Sequence, residues 1–235
     1  MPNKKKLLRG ARRPDLLRAA QRLFFRHHYT GTTVEQVARA AGLSKRSVYL
    51  YFKNKDELFI AVAEEGLLKL RARLEAIPLD RLDIEAAIDA IMRTYVAFAR
   101  EEPRYFRMIF QEATAEMVAN ISPAMRRRLA EHEQACLGVV ATVADKAVEQ
   151  GLTPPIDRWE TAVMFWGMAT GIILLSLGGS QTIFGQRTRE ELIYKAVWIL
   201  YEGLKNPAVA PKRPRHLAVP ASLPKNAPRG RRKRT

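Results

Sequence analysis

Residues Thr32 to Phe59, TTVEQVARAAGLSKRSVYLYFKNKDELF, hold three helix starts and one tight turn, and this constrains the fold more than any other stretch. Thr33 with Gln36 three residues on forms a capping box, in which hydroxyl and amide satisfy orphan backbone donors, so a helix is predicted from Val34 to about Ala41. Gly42 tolerates the left-handed backbone that ends such a helix, and Ser44 caps a second one, Lys45 to about Phe52. Val34, Val37, Ala38, Ala41, Leu43 and Val48 supply apolar contacts for two helices crossing steeply, the geometry of a helix-turn-helix. Asn54, with Glu57 three residues later, caps a third helix.

The outward positions of the second helix decide whether this pair binds DNA or is an ordinary helical hairpin with a solvated basic face. Lys45, Arg46, Ser47, Tyr49 and Tyr51 offer cations, a hydroxyl and phenols, and no acid stands between Glu35 and Asp56. Such groups at the start of a recognition helix reach base edges or phosphates, and the helix amino terminus itself favours phosphate.

The stretch Arg13 to Ala63 resembles the DNA-binding domain of TetR/AcrR-type transcriptional regulators. The most specific matches are the Gly31-Thr32-Thr33 entry, the Ala41-Gly42-Leu43-Ser44 turn and Tyr49-Leu50-Tyr51-Phe52-Lys53-Asn54-Lys55. The resemblance implies that Thr33, Lys45, Arg46, Ser47, Tyr49, Tyr51 and Lys55 sit where family members touch the operator, Tyr49 and Lys55 on phosphates. It also implies a homodimer joined through its last two long helices, an unidentified small-molecule effector, and repression relieved when that effector binds.

Charge is distributed to match. Of a formal +16, residues 1–13 contribute six Lys/Arg and residues 206–235 nine, with no acid in either. Residues 14–60 hold eight Lys/Arg against four acids, and residues 61–205 seventeen against twenty, so they carry +4 and −3. Cations concentrated in one module and two tails are the asymmetry of a nucleic-acid binder. The expected organisation is a basic arm (1–13), a helix-turn-helix domain (14–60), a ligand-binding and dimerisation domain (61–205), and a disordered, basic, Pro-rich tail (206–235). In that tail Pro228-Arg229-Gly230-Arg231 resembles an AT-hook core with Arg232 where a second proline is usual, so Arg229 and Arg231 are candidates for a narrow minor groove; the alternatives are a solvated tail acting by counterion release or attraction to an acidic membrane surface.

The fold class expected is all-α, with about nine helices and no alternating strand run. Beyond the head, helices are predicted over Lys55 to Ala76, Ile84 to Arg100, Pro103 to about Phe110, Pro123 to near Gly151, Asp157 to about Leu177, and from a Thr188–Glu191 capping box through Leu204. Ala162 to Gly178 is seventeen residues without a charge, short of the roughly 20 expected of a membrane span, and reads as a buried bundle helix. At 100° per residue Gly167, Gly171, Leu174 and Gly178 share one side, opposite Phe165, Met168 and Ile172. The glycine side is assigned to a second subunit, with Val197, Trp198 and Tyr201 of the last helix; the alternative is that both faces are intramolecular core. Tyr95, Phe98, Phe106, Phe110, Met117, Met164, Phe165 and Met168 are candidates for a mostly apolar pocket, and equally for plain core.

No nucleophile, acid–base pair or cofactor motif is legible, and the four histidines and single cysteine have no zinc spacing. The basic start lacks the apolar stretch of a secretory signal, so a cytoplasmic location is expected. The combined expectation is a sequence-specific repressor released from a palindromic operator by a small ligand. An architectural DNA protein acting through its basic tails is the alternative.

Overall fold

The computed structural model describes residues 4–177, 185 and 187–206, with side chains described from Arg12 onward. Within these residues there are ten α-helices and no strand, so the all-α expectation holds. The first four helices are α1 (Lys4–His27), α2 (Val34–Ala40), α3 (Lys45–Tyr49) and α4 (Lys55–Glu75). The body continues with α5 (Ile84–Glu101), α6 (Pro103–Arg107), α7 (Ala115–Asn120), α8 (Pro123–Glu149), α9 (Arg158–Leu177) and α10 (Arg189–Lys205). The backbone of residues 4–13, expected as an arm, is helical and continuous with the rest of α1.

The caps fall where their residues point. Thr33 and Gln36 form the reciprocal capping box of α2, Ser44 accepts from the Ser47 N–H, and Asp83 accepts from the Ala86 N–H. Thr188 and Glu191 make a second capping box at α10. Gly42 takes φ +64°, the left-handed conformation that lets Leu43 N–H return to Ala38 O at 2.8 Å. α3 is shorter than its predicted end at Phe52, because Leu50 and Tyr51 donate to the carbonyls three residues back and tighten the chain towards Asn54.

Three further departures have local causes. The segment expected to be helical through Phe110 leaves α6 at Arg107 and widens into a π turn over Met108–Glu112, closed by Ala113 N–H to Met108 O at 3.0 Å. Helix α7 has no counterpart among the helices expected from sequence: Thr114 caps it through the Met117 N–H, but no Glu or Gln at position 117 completes the box. Helix α9 is buried on one side only, through Thr161, Ala162, Ala169 and Ile173, while Val163, Met164, Gly167, Gly171 and Leu175 lie exposed. By length and composition, with a mean hydropathy of 1.5, α9 could cross a membrane, but here it packs along both α8 and α10.

The head is held by Leu16, Ala20, Phe24, Val37, Val48, Phe52 and Phe59, all buried, with Phe24 and Phe59 meeting edge to face at 5.1 Å. Helix α4 is shared between head and body. Gly66 on α4 lets the Tyr105 ring of α6 lie where a Cβ would come within 2.5 Å of it, so this crossing requires glycine. Lower down, Leu67, Leu70 and Leu74 of α4 enter the body core with Phe98, Phe106, Cys136 and Ile173. Burial pushes the Cys136 thiol up to about 12, so it stays protonated as an apolar core group.

A polar junction joins α4 to the turn between α7 and α8. The Glu57 carboxylate accepts from the Lys53 N–H (2.6 Å) and the Ser122 N–H (2.9 Å). Asn54 donates to Asn120 O at 3.0 Å, and Asn120 donates to Asp56 at 3.0 Å. Two turns along, Arg128 of α8 grips Glu64 of α4 through two bonds of 3.0 and 3.1 Å. Burial opposes ionisation of Glu57, yet the two N–H groups outweigh it and hold the carboxyl below its ordinary 4.5.

Glu57→Ala leaves two backbone donors without their acceptor and is expected to cost about 2 kcal/mol of stability at neutral pH, read as a lower urea midpoint. Because the folded pKa is depressed, the contribution is fully present above the unfolded value and is lost as pH falls through the folded one. The gap between wild type and Glu57→Ala should therefore close on acidification; a gap constant with pH would contradict an ionised Glu57.

Candidate functional site

The exposed face of α3 is the first candidate site. Lys45, Arg46 and Tyr49 are exposed, Tyr49 at 46 %, on a helix whose inner side is pinned by buried Val48. Thr33 is exposed at the start of α2, with its hydroxyl engaged by the Gln36 N–H at 3.2 Å. Thr33 caps the start of α2, Lys45 and Arg46 open α3, and Tyr49 ends it.

The other three expected DNA-contacting residues are more constrained. Ser47 is half-buried and its hydroxyl pairs with that of Ser44 at 2.8 Å. Tyr51 is half-buried against the head core. Lys55, at the first position of α4, sets its ammonium 3.9 Å from the centre of the Tyr29 ring, and partial burial lowers its pKa. Tyr29 in turn donates to Asp56, and burial together with that carboxylate pushes the phenol up to about 12. The Lys55 ammonium is thereby fixed in position.

One partner was not foreseen from the spacing. Lys45 forms an ion pair with Glu35 of α2, which raises the Lys45 pKa and lowers that of Glu35. The pair is solvent-exposed, so it orients the ammonium at little cost in stability. The residues ten apart come together because the tight turn brings α2 and α3 side by side.

The second candidate site is an apolar cavity of about 60 Å³ in the body. Its wall comes from Leu74 of α4, Ile84, Ile88, Ile91, Met92 and Tyr95 of α5, and a row of α8 with Val143, Ala144 and Ala147. Helices α9 and α10 and the loop at Thr153 and Ile156 close it. Tyr95 and Phe165 line this cavity as expected. Phe98, Phe106 and Phe110 instead build an aromatic cluster beside it, Phe106 to Phe110 at 4.7 Å and Tyr95 to Trp166 at 4.9 Å. Met117 and Met168 are half-buried packing residues outside the lining. Met164 must be corrected: it projects on the exposed face of α9, 45 % accessible, because it is one residue and about 100° from Phe165.

The glycine stripe behaves differently. A Cβ added at Gly167 or Gly171 would meet nothing within 4 Å, so this side of α9 is open in the single chain. Leu174 and Trp198 are half-buried. Val197 and Tyr201 are corrected: both are buried within their own subunit, and Tyr201 lines the cavity, so neither offers surface to a partner. The outward apolar residue of α10 is Ile199, 64 % exposed. Gly178, Arg229 and Arg231 lie outside the described residues. Among the described residues no group of three His, Cys, Asp or Glu side chains could hold a metal.

A capped helix-turn-helix with an exposed basic recognition helix, on a helical body with its own cavity, defines a DNA-binding regulator architecture. Residues 16–62 match the bacterial regulatory proteins of the tetR family, and residues 88–197 match the tetracyclin repressor-like C-terminal domain. The chain belongs to the TetR family of transcriptional regulators. It is 28 % identical to the HTH-type transcriptional repressor SCO4008 of Streptomyces coelicolor over 70 % of this chain and 80 % of that one. It is 29 % identical to the HTH-type transcriptional regulator RutR of Escherichia coli K12 over 67 % of this chain and 71 % of that one. Its fold is also that of solved structures, among them the following two. PfmR of Thermus thermophilus has TM-score 0.60 and 22 % identity, with 81 % and 99 % of the two chains covered. FadR of Bacillus subtilis, in complex with stearoyl-CoA, has TM-score 0.63 and 16 % identity over 81 % and 98 %.

Lys45→Ala and Tyr49→Ala are each expected to weaken specific DNA binding about tenfold while leaving the circular dichroism spectrum unchanged. Loss of a phosphate contact at Tyr49 should weaken all sequences alike, whereas a base contact at Lys45 should relax the preference at one position. Unchanged affinity in both variants would show that another surface reads DNA.

Proposed function

We propose that this regulator is a cytoplasmic homodimeric repressor, released from a near-palindromic operator when a small molecule enters the cavity of the helical body. The observation that carries it is the polar junction at Asn54, Glu57, Asn120 and Ser122. This junction ties the start of α4, directly after the recognition helix, to the head of α8, and the far half of α8 walls the cavity. A ligand that favours a shifted α8 has a hydrogen-bonded route to the head. It lowers operator affinity by linkage, and by no more than its differential affinity for the two arrangements.

Dimerisation is supported by the open face of α9, where Gly167 and Gly171 let another helix approach closely between exposed Val163, Met164 and Leu175. Two recognition helices related by a dyad engage half-sites about 34 Å apart, or a multiple of that spacing. Thr33, Lys45, Arg46, Ser47, Tyr49, Tyr51 and Lys55 are the residues proposed to touch the operator. Arg229 and Arg231 are proposed to add minor-groove affinity from the basic tail.

Selection of binding sequences from random duplex DNA, run with the intact chain and with a version ending at Lys205, tests both parts. A palindrome enriched by both proteins is expected. Enrichment of A-T tracts alone, lost with the tail, would replace the operator reader by an architectural DNA binder. Gly171→Arg places a long cation where the partner helix is to pack, and sedimentation equilibrium should show dimer in the wild type and monomer in the variant. A monomeric wild type would overturn the dimeric assignment.

A further inference from the structure

The face of α2 and α3 assigned to DNA carries a single acid. Glu35 stands in the first turn of α2, and no other Asp or Glu occurs between Thr33 and Lys55. A carboxylate facing a polyanion is repelled by it, so Glu35 weakens DNA affinity unless it bonds to a cation or to a donor on the DNA itself. It pairs with Lys45, the first residue of α3, and both side chains stay accessible, Lys45 at 50 % and Glu35 at 52 %. As a brace between the helices this pair adds little, because an exposed ion pair contributes little stability. The crossing of α2 and α3 is already set by buried Val34, Val37, Ala38 and Val48, and by Leu43 N–H on Ala38 O at 2.8 Å.

The other polar groups of this face are either spent or free. Thr33 and Gln36 serve the capping box, and Ser44 and Ser47 bond to one another. The Arg46 side chain is exposed and makes no ion pair or hydrogen bond, which suits a phosphate met anywhere along the backbone. Lys45 and Glu35 differ from all of these in presenting a donor and an acceptor side by side, at the start of a recognition helix, where side chains reach base edges. In the major groove a G·C pair shows the complementary order: guanine N7 and O6 accept, and the cytosine N4 amino group next to O6 donates. An ammonium on guanine and a carboxylate on cytosine satisfy both halves of one base pair without separating from each other. A·T breaks that order, because the adenine N6 donor lies between two acceptors and the carboxylate is left against thymine O4 or its methyl group. A reversed C·G pair sets ammonium against amino and carboxylate against carbonyl.

We propose that Glu35 and Lys45 together read one G·C base pair in each half-site, Lys45 Nζ donating to guanine O6 or N7 while the Glu35 carboxylate accepts from the N4 amino group of the paired cytosine. This rests on the operator-reading surface proposed above and adds Glu35 to it as a residue that sets specificity. The acid repels the phosphates of every sequence alike, and it regains that loss only where it meets a cytosine amino group. Discrimination is the difference between those two situations, so a group that lowers nonspecific affinity sharpens the choice of site.

The test uses the full chain and the operator it selects from random duplex DNA. Competition titrations against operators with each base pair changed symmetrically in both half-sites give a preference profile for the wild type, Glu35→Ala, Glu35→Gln and Lys45→Ala, with thermal unfolding confirming that the variants are folded. The wild type is expected to prefer G·C about tenfold at one position of each half-site. Glu35→Ala should reduce that preference at least threefold and leave the other positions alone, and Lys45→Ala should alter the same position. Glu35→Gln, whose amide both donates and accepts, should let A·T compete there, since an amide pairs with adenine N6 and N7. A selected operator without the G·C preference, a profile untouched by both Glu35 variants, or separate positions altered by Glu35→Ala and Lys45→Ala would each overturn the reader. So would an affinity changed by one factor for every sequence, which would place Lys45 on a phosphate with Glu35 as its counter-charge. Selection that enriches no palindrome would refute the operator reader itself and this proposal with it, whereas an enriched palindrome indifferent to Glu35 refutes this proposal alone, so the two failures are distinguishable.

Discussion

The Glu57 carboxylate accepts N–H groups from two segments far apart in the sequence: Lys53, at the exit of the recognition unit, and Ser122, at the entry to the longest helix of the body. Each donor is a backbone group at a helix end, where an unmet N–H is expensive when buried. A single ionised side chain therefore serves two ends at once. The Asn54 and Asn120 amides extend this contact sideways, and the Arg128 pair with Glu64 repeats it one step further along α4 and α8. The head is thus seated on the body by directional bonds as well as by an apolar core that runs through α4, with Phe25 of the head meeting Tyr105 of the body at 5.0 Å. A change of angle between the two must bend or exchange these bonds.

The body divides its apolar residues between three uses. Phe98, Phe106 and Cys136 fill space completely; Ile84, Tyr95 and Ala144 border a cavity; Val163, Leu175 and Ile199 remain on the surface. Helix α9 takes part in all three along one length, with Ile173 inward, Phe165 on the cavity and Gly171 outward. Beyond its first turn, which carries Arg158 and Glu160, the helix has no charge, in keeping with that position: neither a buried face nor a cavity wall of this composition has room for an ion.

The head was nearly complete in the sequence. Thr33, Gly42, Ser44 and Asn54 each carry a local signal whose physics acts within three or four residues, so their helix boundaries can be read directly. The body was legible in its long helices for the same reason, through Asp83, Pro123 and Thr188. Its interior was not. Whether Phe106 packs or lines a pocket depends on helices distant in sequence, and aromatic spacing is identical in both cases. Val197 and Trp198 are adjacent in sequence, and the interfacial assignment fails for the one that turns inward. The Glu35–Lys45 pair could have been found by asking which acid the turn brings opposite the first cation of α3. The segment 207–235 and Gly178 stand outside the described residues, so their assignments remain proposals from sequence.

That pair also bears on how the protein meets DNA in solutions of different ionic strength. In the free protein Lys45 is paired with a carboxylate, and a phosphate reaching it would exchange one anionic partner for another. Added salt weakens the old partnership along with the new one. A cation of this kind contributes less to the salt dependence of binding than a free lysine that simply displaces a counterion. If Lys45 meets DNA as proposed, the steepness of that dependence would undercount the cations at the interface, and binding would persist over a wider range of ionic conditions than the positive charge alone implies.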